Sequence, residues 1–257
     1  MESVVNFRLL IIGDEILSGR RQDKHLAKVI ELLAGRGLRL SAASLIGDDR
    51  SRLVSTLRQS FASSDIVFSF GGIGATPDDH TRQSAALAAG KPLILHPDAE
   101  REIRIRFGAE TTDHRLEMGR YPLGSEIIPN PYNRIPGFSY AEHHFLPGFP
   151  EMAWPMMEWV LDHKYRHLHH VHAWVEESIA VIEAHESKIV DIMERLESMY
   201  GVTVFSLPHL GSKALRAHIE LGAKGSPEAV ASAMAEMRAE LSKRGQAWSE
   251  VVDLHPD

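Results

Sequence analysis

The chain has 257 residues, 44% hydrophobic and 25% charged, the balance of an ordinary globular protein with room for one large domain or two moderate ones. A net charge of −7 argues against broad nucleic-acid affinity, and the absence of cysteine excludes disulfides, thiolate zinc sites and cysteine nucleophiles. No apolar stretch is long enough to span a bilayer, and Met1 to Arg8 lacks a cationic signal-peptide start, so neither a membrane partner nor a leader is expected and cytoplasmic location is the default.

The first part alternates strands and helices. Phe7 to Ile12 reads as a strand, and Leu26, Val29, Ile30 and Leu33 mark one face of a following helix that Gly35 and Gly37 end. Leu38 to Ile46 reads as a second strand. Asp49 can cap the next helix, whose stripe is Leu53, Leu57 and Phe61. Ile66 to Phe70 reads as a third, buried strand. This order predicts an α/β fold in three layers, a parallel sheet with helices on both faces. In such a sheet ligands bind beyond the carboxyl ends of the strands, so the loops at Gly13, Gly47 and Gly71 are expected to line one pocket.

Asp98 to Tyr121 reads as helical and mostly polar, a flap or an outer helical pair. Ile127 to Pro150 is rich in proline, asparagine and glycine around an apolar piece, Tyr140 to Leu146. Glu151 to His167 reads as the helix that closes a first domain, residues 1–167. In residues 168–257, Val171 to Ile182, Val202 to Leu207 and Ala214 to Leu221 read as strands, with helices at Ser187 to Tyr200 and after Ser226, and Trp248 to Asp257 as a tail. The order β-α-β-β-α predicts a small α+β domain with its methionines in the core and no catalytic constellation. His163, His167, His169, His170 and His172 crowd the junction; i, i+4 pairs can bind metal, but without nearby carboxylate spacing the stretch reads as polar surface or a subunit contact.

The chemistry concentrates in Gly71-Gly72-Ile73-Gly74-Ala75-Thr76-Pro77-Asp78-Asp79-His80-Thr81. Three glycines at a strand end let backbone approach a ligand closely, and the free N–H groups of the helix start favour a phosphate. The aspartates add hard oxygen ligands for a divalent metal, Mg²⁺ or similar. Gly71 and Gly72 can equally serve only a tight turn, Asp49 only a cap, and Asp14 only loop orientation. Asp48, at a strand end, is the better functional candidate; Asp78 is either a metal ligand or a solvated neighbour.

This loop resembles the molybdopterin-binding domain family of molybdenum-cofactor biosynthesis, whose pattern Gly-Gly-x-Gly-x-Thr-x-Asp-Asp-x-Thr is met by Gly71, Gly72, Gly74, Thr76, Asp78, Asp79 and Thr81. Ile12 to Gly19 looks like the family's first loop, Ile46-Gly47-Asp48-Asp49 like its second, and Leu146 to Met152 like its Pro-Gly-x-Pro motif. Within the family the pattern is most similar to the N-terminal domain of the competence/damage-inducible CinA proteins. Ala75 stands where many relatives carry proline, and Lys24 near a position where many carry asparagine. The chain ends at Asp257, so the amidohydrolase activity of the domain that follows in full-length CinA is not expected.

The resemblance implies catalytic carboxylates at Asp48 and Asp79, and a metal held by Asp48, Asp78 and Asp79. It implies a phosphorylated ligand on Gly13, Glu15, Ser18, Gly71, Gly72, Gly74, Thr76 and Thr81. CinA-like domains are associated with pyrophosphatase activity on ADP-ribose-type substrates, and related domains bind or adenylate molybdopterin. Three readings stay open: a metal-dependent nucleotide pyrophosphatase, a molybdopterin-binding protein, and a non-catalytic ligand or assembly module. The partner is a small nucleotide or pterin phosphate, with homo-oligomerisation left open.

Overall fold

A computed structural model of the chain describes residues 5–171, 174–211 and 216–251. The chain divides into two compact units, Met1–His170 and Val171–Asp257.

The first unit is built on β1 (Phe7–Ile12), β2 (Leu40–Ile46) and β3 (Ile66–Phe70), linked by α1 (Asp14–Leu17), α2 (His25–Ala34) and α3 (Arg50–Phe61). After the glycine loop come α4 (Thr81–Ala89), β4 (Leu93–Leu95), α5 (Pro97–Phe107), α6 (Asp113–Leu116), β5 (Arg120–Pro122), β6 (Glu126–Ile128), β7 (Gly137–Tyr140), β8 (His143–Leu146) and α7 (Pro150–Lys164). The six-stranded sheet has the order β2-β1-β3-β8-β7-β6. The strand period of two sorts the core by face. Phe7, Leu9 and Ile11 of β1 pack with Phe68 and Phe70 of β3 against α2 and α7. Leu10, Ile12 and Val67 turn the other way, onto Leu53 and Leu57 of α3 and Ala85 of α4. Helices therefore cover both faces, as predicted.

The sheet is mixed rather than wholly parallel. β2, β1, β3 and β8 run parallel, whereas β7 is antiparallel to β8 and β6 to β7. The cause is the two-residue connection Ala141-Glu142, which can only reverse the chain, with Ala141 at φ 49°. The polar flap expected at Asp98 to Tyr121 is α5 and α6, and its end turns back as β5 to pair with β4.

β8 carries two histidines into the core, and each finds a partner. His143 Nε2 lies 2.7 Å from Ser60 Oγ of α3. His144 Nδ1 lies 2.8 Å from Ser139 Oγ, and its Nε2 lies 2.6 Å from the Tyr165 hydroxyl, which in turn donates to Glu142. Burial pushes the pKa of His143 down to about 4 and that of His144 well below its ordinary value. Below pH 6.5 the unfolded chain takes up protons that the native histidines refuse, so their contribution to stability is present above pH 6.5 and is lost as pH falls toward 4. For His143 alone the loss approaches about 3 kcal/mol. Urea unfolding at pH 6.5, 5.5 and 4.5 should show this decline, and His143→Gln should flatten part of it; an identical slope in the variant would assign the decline to other groups.

The second unit contains β9 (Val175–Ile182), α8 (Val190–Tyr200), β10 (Thr203–His209), β11 (His218–Gly225), α9 (Pro227–Lys243) and β12 (Trp248–Glu250). Its sheet is antiparallel, β10-β11-β9-β12. Ile179, Val181, Ile219 and Leu221 meet Ile192 and Leu196 of α8 and Met234 and Met237 of α9, so these methionines are core, whereas Met199 at the end of α8 is exposed. Trp248–Glu250, read from sequence as part of a tail, is an edge strand on β9. Expected strand residues 214–215 lie outside the described residues.

Candidate functional site

The three strand-end loops meet at the carboxyl end of the parallel strands. Gly13 N–H donates to Ile46 O at 3.0 Å. Asp14 N–H donates to Asp48 Oδ2 at 2.8 Å, and Asp48 N–H returns a bond to Asp14 Oδ1 at 3.2 Å. These reciprocal bonds lock the first loop to the second. A Cβ on Gly47 would lie 2.3 Å from Asp14 Oδ1, the oxygen that accepts the Asp48 N–H. The fourth motif joins at the same place: Gly71 N–H donates to Leu146 O at 3.0 Å, and Gly148 packs against Gly71.

The glycine loop is organised largely by its own side chains. Gly71 and Gly72 have φ of 104° and 67°, a region that favours glycine. A Cβ on Gly72 would lie 2.2 Å from Thr81 Oγ1, and one on Gly74 would lie 2.4 Å from Asp79 Oδ2. Thr81 is buried; its hydroxyl donates to Gly71 O at 3.0 Å and its N–H to Gly72 O at 3.0 Å. It therefore shapes the loop, with its hydroxyl proton already committed. Asp79 Oδ2 accepts from Thr76 N–H at 2.8 Å and from Thr76 Oγ1 at 2.5 Å, closing the turn that ends in α4. Asp78 is exposed beside it.

Asp48 is half-buried. Burial raises its pKa, and the carboxylates of Asp14, Glu15 and Asp78 add to the rise, opposed by the Asp14 N–H bond. Glu15 folds back over Gly13, and the exposed Ser18 hydroxyl lies 3.4 Å from Glu15 O. Asp49 is the cap of α3, accepting from Arg52 N–H at 2.7 Å. Among the described residues no three His, Asp or Glu side chains converge closely enough to hold a metal by themselves. That holds for the histidine stretch also. His163 bonds Trp159 O and His169 bonds Leu161 O, while His172 lies outside the described residues.

Two residues of this region carry no sequence motif that flags them. His25 is stacked on Phe70, accepts from Trp154 Nε1 at 3.3 Å and lies 3.2 Å from Gly148 O, so it braces the loop from behind. Arg82, in the first turn of α4, is 2% exposed and bonds the Gly74 carbonyl at 2.6 Å. Two cavities, of 490 Å³ along α5 and 340 Å³ near Val5 and Tyr165, contain no residue of the glycine loop. The chemistry described above belongs to the loops and not to either cavity.

A three-layer α/β unit with four ordered motifs at one sheet end defines a family. Residues 8–167 match the family model described as "Probable molybdopterin binding domain", and the chain belongs to this family. Among curated proteins it is 34% identical over 165 residues to a CinA-like protein of Anaeromyxobacter sp. (strain Fw109-5), covering 61% of this chain and 40% of that protein. It is 32% identical over 157 residues to a putative competence-damage inducible protein of Alkaliphilus oremlandii, covering 58% and 38%. The matched region thus spans about 40% of the length of the first of these relatives. Among solved structures, CinA from Thermoplasma acidophilum, titled as of unknown function, superimposes with a TM-score of 0.56 at 28% identity, covering 61% of this chain and 96% of that one. No helix among the described residues is long and apolar enough to cross a membrane.

Proposed function

We propose that the first unit binds a phosphorylated nucleotide on the glycine loop and hydrolyses a nucleotide diphosphate of the ADP-ribose class with the help of a divalent cation. The observation that carries this reading is the mutual lock of Asp14 and Asp48, which holds a half-buried carboxylate within reach of the charge of Asp78 in the glycine loop. Family membership and the CinA-like relatives support a small nucleotide or pterin ligand.

The residues fit a hard divalent cation by their chemistry. Asp14, Glu15, Asp48 and Asp78 are oxygen donors, and the three neighbours all oppose the charge of Asp48. Because no three converge, the protein would supply one or two ligands, with Asp48 and Asp78 foremost. That is the usual way Mg²⁺ is held, the remaining positions going to phosphate oxygens and water. When bound, such an ion neutralises charge on the phosphates. In this reading Asp48 accepts the proton of the attacking water. Backbone N–H groups of the glycine loop bind and orient the anion. Asp79 keeps the loop closed through Thr76 and completes its shape.

AMP release from ADP-ribose, measured with Mg²⁺, Mn²⁺ or Co²⁺ and again with EDTA, tests the proposal. Metal-dependent AMP is the expected result. A folded protein that binds ADP-ribose without turnover would leave a binding role. Selective affinity for a pterin phosphate would favour the molybdopterin reading, which the family match supports independently.

A further inference from the structure

The guanidinium of Arg82 is buried against the glycine loop and meets three backbone carbonyls. Its Nη2 donates to Gly74 O at 2.6 Å, while Nη1 donates to Glu117 O and reaches Arg120 O at 3.4 Å. Nε has no hydrogen-bond partner, and the carboxylates of Glu117 and Asp79 act on the guanidinium through space without a hydrogen bond to it. A buried guanidinium held by carbonyls, with no carboxylate in direct contact, is costly to desolvate. The two groups it joins are distant in sequence: the glycine loop, and the segment 117–120 that leads from α6 into the first residue of β5.

The bond to Gly74 has a geometric consequence. A trans peptide points its C=O and the following N–H in opposite directions. With the Gly74 carbonyl turned inward to Arg82, the Ala75 N–H points away from the buried guanidinium. The described residues offer that N–H no hydrogen bond. It is a donor at the centre of the loop, with the buried guanidinium behind it.

We infer that Arg82 is the positioning residue of the glycine loop, fastening Gly74 to the 117–120 segment so that the Ala75 N–H and a buried positive charge face a bound phosphate. This rests on the phosphate-binding reading above. Arg82 touches no ligand atom in this account; it acts through the peptide it orients.

The test uses the whole chain, with inorganic pyrophosphate as probe by calorimetry and with amide hydrogen exchange on the ligand-free protein. In Arg82→Met, exchange in residues 71–80 and 116–121 should rise together. Pyrophosphate affinity should fall about tenfold to a hundredfold, the range for losing charged hydrogen bonds. Arg82→Lys keeps the charge but has one ammonium for three carbonyls, so it should recover part of the affinity; it carries the same readouts if the Met variant does not fold. Unchanged exchange in a folded variant overturns the clamp. Raised exchange with unchanged affinity, or no rescue by lysine, overturns its link to the anion. A wild type that takes no pyrophosphate overturns the phosphate reading and the anion half of this inference, and exchange still decides the clamp.

Discussion

Gly71→Ala is expected to destabilise the first unit by about 2–6 kcal/mol, combining the strain of positive φ with overpacking against backbone. A Cβ at Gly71 would lie 2.2 Å from the carbonyl oxygen of Ile12, on the adjacent strand β1, and the residue has φ 104°. Neither contact can relax easily. The Gly71 N–H is tied to Leu146 O on β8, and its carbonyl accepts from the buried Thr81 hydroxyl. The loss is a large fraction of the ~5–15 kcal/mol by which a domain is stable. Gly90→Ala is the control. That glycine also has positive φ, 63°, as the C-cap of α4, but an added Cβ meets nothing within 4 Å, so the cost should be about 1 kcal/mol. Urea unfolding of both variants decides the matter. Equal losses would show that the Ile12 contact is relieved by a small shift and that φ alone matters.

The legible part of this fold was its periodic part. β1, α2, β2, α3 and β3 follow from apolar spacing, although in α2 the buried face takes Leu32 and leaves Ile30 of the expected stripe exposed. The convergence of the three loops followed from the topology. The region 120–146 was not legible. β5 to β8 are three or four residues each, too short to show a period, and the β7–β8 turn is Ala141-Glu142 without the glycine or asparagine that signals a hairpin. Trp248–Glu250 is only three residues long and gains its strand character from pairing with β9. At the candidate site, the topology brought the loops together, but sequence could not say which way side chains turn. Thr81 and Asp79 face their own loop, and Arg82, which looks like any exposed helix-start arginine, is buried.

Asp48→Asn should lower kcat of the proposed hydrolysis by ~10²–10³, the scale of losing one strong electrostatic group at a reacting centre. The structure makes this the cleanest substitution at the site. Asparagine retains an oxygen that can accept the Asp14 N–H, so the lock between the first two loops can persist. It also removes a charge that burial and the neighbouring carboxylates of Asp14, Glu15 and Asp78 already disfavour. A native carboxyl with a raised pKa costs stability once pH exceeds its unfolded value, so at pH 7 the variant should melt at the wild-type temperature or above it. Loss of turnover with equal or greater stability is the signature of a residue kept for its chemistry. Asp79→Asn should behave differently, because its Oδ2 holds both Thr76 bonds and loosening them should raise KM as well as lower kcat. Steady-state kinetics and thermal melts on both variants separate the two roles. Wild-type turnover in Asp48→Asn would remove the carboxylate from the mechanism and leave the loops as a binding site alone.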